Sequence, residues 1–409
     1  MKKRRIFTAA LRASLVALLA VALSACFSPW AGGEGTITLV FAPTAVPVTP
    51  VATAFAPFDE PEPDMRHVVT LQGPGGTITH EFTGPGPERI AVLFGTWTVS
   101  VRAYFAFPPD FDSLIGSFPP YTPPLRAISR EAAVVEVIAG ETAIANITMT
   151  HAAEVGTYAQ LNGVLGFASA RGMEKVIILA QSFIVGNADS EYPLRIQDNI
   201  TLVSDTDVTI TVGDGVDMDS IFSVEGGGAL TLGRPGMAGT ITLNGAELND
   251  GIITVADGGT LVMEDGSRLT GNAVTTDYTG GGVRIASGGA TFNMTGGRIE
   301  DNNATGNGGG VHVTNGGTFN MFGGSIAGNS ATTDGGGVFV SDGATFTMHG
   351  GTISGSNSTN QNTAEDEGCA IYVGEHATAQ YDGALLEQFG PDIQTSDYAL
   401  PKDFRNGVD

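Results

Sequence analysis

Apolar positions along residues 280–356 recur with a fixed period. Gly280-Gly281-Gly282-Val283, Gly308-Gly309-Gly310-Val311 and Gly335-Gly336-Gly337-Val338 follow one another at steps of 28 and 27 residues. Phe292, Phe319 and Phe346 recur at 27, as do Met294, Met321 and Met348, and Ile299, Ile326 and Ile353. Each period holds three short alternating segments, such as Val283-Arg284-Ile285, Thr291-Phe292-Asn293-Met294 and Arg298-Ile299, separated by glycine or asparagine turns. Segments this short cannot each bury an apolar face alone. Three per turn form a coil whose strands pair with the same strands of the next coil, about 4.8 Å away, so that like stacks on like. The pattern predicts a parallel β-helix with phenylalanine, methionine and isoleucine columns inside it. Weaker copies occur at Phe222-Ser223-Val224, Ile253-Thr254-Val255 and Ile371-Tyr372-Val373, placing the coil domain at residues 172–390. Asn272, Asn302 and Asn329 each follow a Leu or Ile by three residues, a spacing that predicts an amide ladder along one corner.

Upstream the period changes. Period-2 segments at Thr36 to Phe41, Val68 to Leu71, Thr77 to Phe82, Ile90 to Phe94, Trp97 to Tyr104, Val134 to Ile138 and Thr142 to Met149 predict a small antiparallel β-sandwich over residues 36–150. Trp97 opens an alternating strand and is expected to anchor its core. Pro47, Pro50, Pro57, Pro61 and Pro63 exclude Thr44 to Asp64 from a central strand. Leu161, Val164, Leu165 and Ala168 follow helical spacing, which predicts a helical cap and connector at residues 151–171. Residues 391–409 form a tail.

The chain begins with a basic segment, Met1 to Arg5, an apolar run from Ala9 to Ala22, and small residues after it. This is the layout of a secretory leader, and the apolar run is shorter than the roughly 20 residues that span a bilayer. Its end, Leu23-Ser24-Ala25-Cys26, resembles the bacterial lipobox. That resemblance implies cleavage after residue 25, acylation of Cys26 (palmitate among the chains), and a lipid-anchored linker at residues 26–35. Phe27, where aspartate favours the inner membrane, points to the outer one. Several acyl chains hold a protein to a membrane without a transmembrane helix.

Composition narrows the function classes. Glycine supplies 58 of 409 residues without a Gly-X-Y period, so the excess belongs to turns. Formal charge is −24, and loss of the leader removes five cations, which excludes non-specific nucleic-acid binding. Two cysteines cannot build a disulfide framework, and Cys369 is expected to be a small buried thiol. The sequence carries no CxxC, HExxH or P-loop motif, so no cofactor or metal is expected.

The coil repeats resemble right-handed parallel β-helices of the pectate-lyase-like type. Ile326-x-x-Asn329-x-Ala331 followed by Gly-Gly-Gly-Val resembles the FxxN and GGA[IV] repeats of polymorphic outer-membrane proteins, families that include adhesins. Two departures stand out: Ile or Leu replaces the aromatic of FxxN, and the residues up to Asp409 show no barrel pattern. Gly95 to Val101, with Ala139-Gly140-Glu141-Thr142 later, resembles transthyretin-like or immunoglobulin-like envelope modules.

A β-helix also hosts polysaccharide lyases and glycoside hydrolases, so catalysis has to be weighed on side chains. In the first strand of each coil Val283 and Ile285 point inward, which leaves Thr254, Arg284, His312, Phe339 and Tyr372 as an outward column without a carboxylate. The second strand's outward column, Val262, Asn293, Asn320, Thr347 and Gln380, has no acid either. Asp342 and Glu375, with His376 adjoining, occupy matching turns at a separation near 5 Å, that of a retaining pair, but read better as a solvated turn. Asp214, Asp217 and Asp219 lack the spacing of a calcium loop. Arg284, His312, Phe339 and Tyr372 combine cationic and aromatic groups typical of a binding surface. The expectation is a lipid-anchored envelope protein that binds a host or neighbouring-cell protein or glycan at that column, without catalysis. The alternatives are a polysaccharide-degrading enzyme and a passive structural component.

Overall fold

The computed structural model describes residues 34–41, 65–83, 88–105, 125–129, 132–147, 149–166, 174–186, 193–235, 237–274, 280–355, 359–381 and 393–395. Cys26, the proline-rich stretch 44–64, Ala168 and most of the tail lie outside them. The chain is nearly all β and divides into two compact units, the first ending at Met149 and the second carrying Thr150–Asp409.

In the first unit Glu34–Phe41 lies between Glu88–Leu93, antiparallel, and Thr142–Ile147, parallel. Met65–Gly73 pairs antiparallel with Gly76–Thr83 and with Gly95–Phe105, which also takes Ala133–Val137. Both sets feed one core, with Ile37 and Leu39 from the first meeting Val69, Leu71, Val99 and Val101 from the second. Trp97 is fully buried there and donates its indole N–H to the Leu93 carbonyl at 2.7 Å. Gly73 makes room for it, since a Cβ at that position would fall 2.5 Å from the indole. One pair departs from the expected antiparallel order: the strands at Glu34 and Thr142 run parallel.

The second unit is a parallel β-solenoid with three walls. One wall stacks Leu194–Ile196, Phe222–Val224, Ile253–Val255, Val283–Ile285, Val311–Val313, Val338–Val340 and Ile371–Val373; it is called the triplet wall below. A second, the threonine wall, runs from Glu174–Leu179 through Thr260–Met263, Thr291–Met294, Thr318–Met321 and Thr345–Met348 to Thr378–Tyr381. The third includes Val208–Val212, Ile241–Ala246, Ser267–Val274, Arg298–Glu300, Ser325–Ala327 and Thr352–Ile353.

Identical residues share each rung, as the period requires. Phe292, Phe319 and Phe346 are fully buried, with ring centroids 4.7 and 5.0 Å apart and planes within 20° of parallel. The glycine triplets form one corner where successive backbones nearly touch. A Cβ on Gly309 would sit 2.4 Å from the Ser330 carbonyl and 2.6 Å from that of Gly336. Asparagine amides line the neighbouring corner: Asn302 donates Nδ2 to Asn329 Oδ1 at 3.0 Å, and Asn329 donates to Asn362 Oδ1 at 3.0 Å. Asn362 is a rung the sequence pattern did not include.

Parallel pairing starts earlier than residue 172, because Met149–Val155 already pairs in parallel with Glu174–Leu179. Between them lies helix α1, Tyr158–Gly166. Thr157 caps it by accepting the Gln160 N–H, and Tyr158 and Leu161 enter the solenoid core. Cys369 is half-buried rather than buried, on the glycine corner beside Ala370.

Candidate functional site

A three-residue strand with apolar ends has one outward position. The register of the triplet wall therefore places Thr254, Arg284, His312, Phe339 and Tyr372 in one column. Phe339 and Tyr372 stack in parallel, centroids 5.1 Å apart and planes 1° apart. His312 meets Phe339 edge-on at 5.0 Å. Both aromatic side chains stay partly exposed.

The upper half of the column differs from expectation. His312 is only 4% exposed, because the Gly280 and Gly308 corners press against its Cβ and leave no space there for side chains of their own. Burial, and then the nearby Arg284 charge, push its pKa down to about 3, so the imidazole is neutral at physiological pH. Its Nδ1 has no hydrogen-bond partner among the described residues. Arg284 donates to Asp250 Oδ2 at 2.7 Å, and Asp250 also accepts from Thr254 Oγ1 at 3.2 Å. Burial pushes the Asp250 carboxyl up, while Arg284, the Gly251 N–H and Thr254 pull it back. Ser220 and Thr254 share a further hydrogen bond of 2.8 Å.

The column thus lacks the open cationic character its sequence implied. Arg284 is neutralised by a carboxylate from the preceding corner, and His312 carries no charge. Strand alternation identifies outward residues but says nothing of a corner folding over them or of an acid reaching in from another segment. Asp250, four residues before Thr254, was the group that residue pattern missed.

His312 makes stability pH-dependent. In the unfolded chain an ordinary histidine protonates near pH 6.5, whereas the folded imidazole does so only near pH 3. Between these values the unfolded state binds the extra proton, so stability is full above about pH 6.5 and falls as pH drops toward 3. His312→Phe should flatten this slope. Urea midpoints at pH 7 and pH 5 check it: a parent and variant that lose the same stability would remove His312 as the source.

The other candidates lie apart from this column. His376 Nδ1 is 3.2 Å from Asp342 Oδ2, and its Nε2 is 4.0 Å from Glu375. All three side chains are exposed, and the His376 backbone N–H and imidazole hold the Asp342 carboxyl below its usual range. A general acid needs the opposite shift. Asp217 accepts a hydrogen bond from Asn249 Nδ2 at 2.8 Å. Among the described residues no three His, Cys, Asp or Glu side chains gather to hold a metal ion. No family model, no curated protein and no solved structure matches this chain.

Proposed function

We propose that this chain is a lipid-anchored cell-envelope protein that presents its solenoid to a macromolecular partner and binds it without turnover. On this reading residues 1–25 are a leader, Cys26 is acylated at the outer membrane, and the solenoid is right-handed, with repeats of the polymorphic outer-membrane-protein kind. The first unit is then an immunoglobulin-like or transthyretin-like spacer.

The observation that carries the reading is the Phe339–Tyr372 pair. Two large rings stay partly exposed on the triplet wall, where neither fills the core. Each ring turns a face to the other, so their edges meet an incoming surface, which suits a protein side chain better than a sugar ring that needs an open aromatic face. Against catalysis stands the electrostatics of the Asp342 turn, where the carboxyl is held ionised and exposed.

The test uses bacteria displaying the full chain, probed with an array of extracellular-matrix proteins and glycans beside a polysaccharide-degradation assay. The parent should partition with detergent and bind array proteins, Cys26→Ala should leave the detergent phase, and Phe339→Ala with Tyr372→Ala should abolish binding while the chain stays folded. Undiminished binding by the double variant would remove the site. Released oligosaccharide that Asp342→Asn abolishes would replace binding with hydrolysis or lysis.

A further inference from the structure

The outward face of the threonine wall has a composition unlike that of the chain as a whole. Phe and Met of Thr291–Met294, Thr318–Met321 and Thr345–Met348 point into the core, and the alternate residues face out. One outward column is Thr260, Thr291, Thr318, Thr345 and Thr378, in unbroken register. Beside it run Val262, Asn293, Asn320 and Thr347. Over these five rungs neither column holds a charged group, in a chain of net charge −24; the first column meets a carboxylate only three rungs before Thr260, at Glu174. Charged pairs lie on the other two walls, where Arg268 meets Glu300 on the third and Arg284 meets Asp250 at the triplet wall.

The threonine hydroxyls are also unspent. None of the five in the first column has a hydrogen-bond partner among the described residues. Corner threonines behave differently: the Thr295 and Thr314 hydroxyls both donate to backbone carbonyls, at 3.1 and 3.0 Å. In the second column Asn320 donates to Asn293 at 2.9 Å, which fixes the amides in line with the threonines.

The backbone makes this a regular array. Rungs repeat about every 4.8 Å along the solenoid, and outward residues on one strand lie about 6.6 Å apart. In a tetrahedral water network, two hydrogen bonds of about 2.75 Å place second-neighbour oxygens about 4.5 Å apart. A threonine column therefore advances almost in step with such a lattice, out of phase by about 0.3 Å per rung. Stiff β-branched rotamers hold hydroxyls and methyls in place before any ligand arrives, so little side-chain entropy is lost on binding. Charged groups would reorient the water around themselves, and the five rungs from Thr260 to Thr378 carry none in either column.

We propose that the threonine wall is an ice-binding face, ordering water in a pattern that merges with the ice lattice. A crystalline polysaccharide fits it less well. Sugars dock on open aromatic faces, and the aromatic groups at this wall's rim, Phe322 and His349, stack on each other at 4.9 Å with planes 7° apart. The proposal is independent of the Phe339–Tyr372 site, which lies on another wall.

The experiment grows an ice hemisphere slowly from a solution of the full chain in non-ionic detergent, beside a non-binding protein of similar size. The parent and Tyr372→Ala should be enriched in the ice, and the parent should inhibit recrystallisation. Thr318→Lys, which sets a charge in the array, and Thr318→Tyr, which breaks its flatness without charge, should both fall to the control level at unchanged melting temperature. Exclusion of the parent from ice overturns the proposal, as does incorporation of either folded Thr318 variant at the parent's level. Cosedimentation of the parent with crystalline cellulose or chitin, together with exclusion from ice, overturns it in favour of a polysaccharide.

Discussion

Phe319→Ala is expected to cost the solenoid about 3–5 kcal/mol, the range for deleting a large buried aromatic side chain. Phe319 is fully buried and stacks between Phe292 and Phe346, with centroids 4.7 and 5.0 Å away. Truncation removes both ring contacts and opens a void whose walls belong to three successive coils. Those walls cannot collapse easily, because each strand is held at fixed spacing by backbone pairing on both sides. Urea unfolding followed by circular dichroism measures the loss, and hydrogen exchange locates it, since each coil of a repeat array leans mainly on its neighbours. Exchange should quicken first in Thr291–Met294, Thr318–Met321 and Thr345–Met348. A loss below about 0.5 kcal/mol would place the ring outside the core and break the register.

Much of this architecture was legible because a solenoid repeats its own physics. Phe, Met and Ile columns at one period have one stacked solution, and the register pairs Phe292 with Phe319 and Phe319 with Phe346 as the spacing requires. The start of the solenoid was less legible. Met149–Val155 reads like one more strand of the first unit, and α1 separates it from its partner Glu174–Leu179. Asn362 escaped because it follows Ile353 by nine residues instead of three, yet the chain returns it to the same rung. The candidate column was legible only in its register. His312 was named as an accessible cation, but its burial depends on how close the Gly280 and Gly308 corners lie, which no periodicity records. The threonine columns were visible in sequence, and only the third dimension turns them into an array of uncommitted hydroxyls.

Asn329→Leu should be nearly as damaging as loss of Phe319, through unmet hydrogen bonds rather than a void. Asn329 is fully buried, and its Oδ1 accepts from the Asn302 backbone N–H at 3.1 Å and from Asn302 Nδ2 at 3.0 Å. Its Nδ2 donates to the Ile299 carbonyl at 3.0 Å and to Asn362 Oδ1 at 3.0 Å. Leucine has similar bulk but no polar atoms, so it strands buried donors on one rung and acceptors on the next. Each buried group left unpaired costs about 1–3 kcal/mol, and after partial relaxation a total of about 3 kcal/mol or more is expected. Asn329→Asp separates this cause from packing, because it keeps the shape and the acceptor oxygen but places an ionisable carboxyl in a fully buried position between the amides of Asn302 and Asn362. Burial should raise the folded-state pKa of that carboxyl above its unfolded value near 4. The unfolded chain then ionises first, so the added penalty is absent below about pH 4 and grows as pH rises through the folded-state pKa. Urea midpoints of the parent and both variants at pH 4 and pH 7 read this out. The leucine variant should be weakened by similar amounts at the two values, the aspartate variant far more at pH 7. Equal stability of all three at pH 7 would mean that the amide ladder does not hold the coils together.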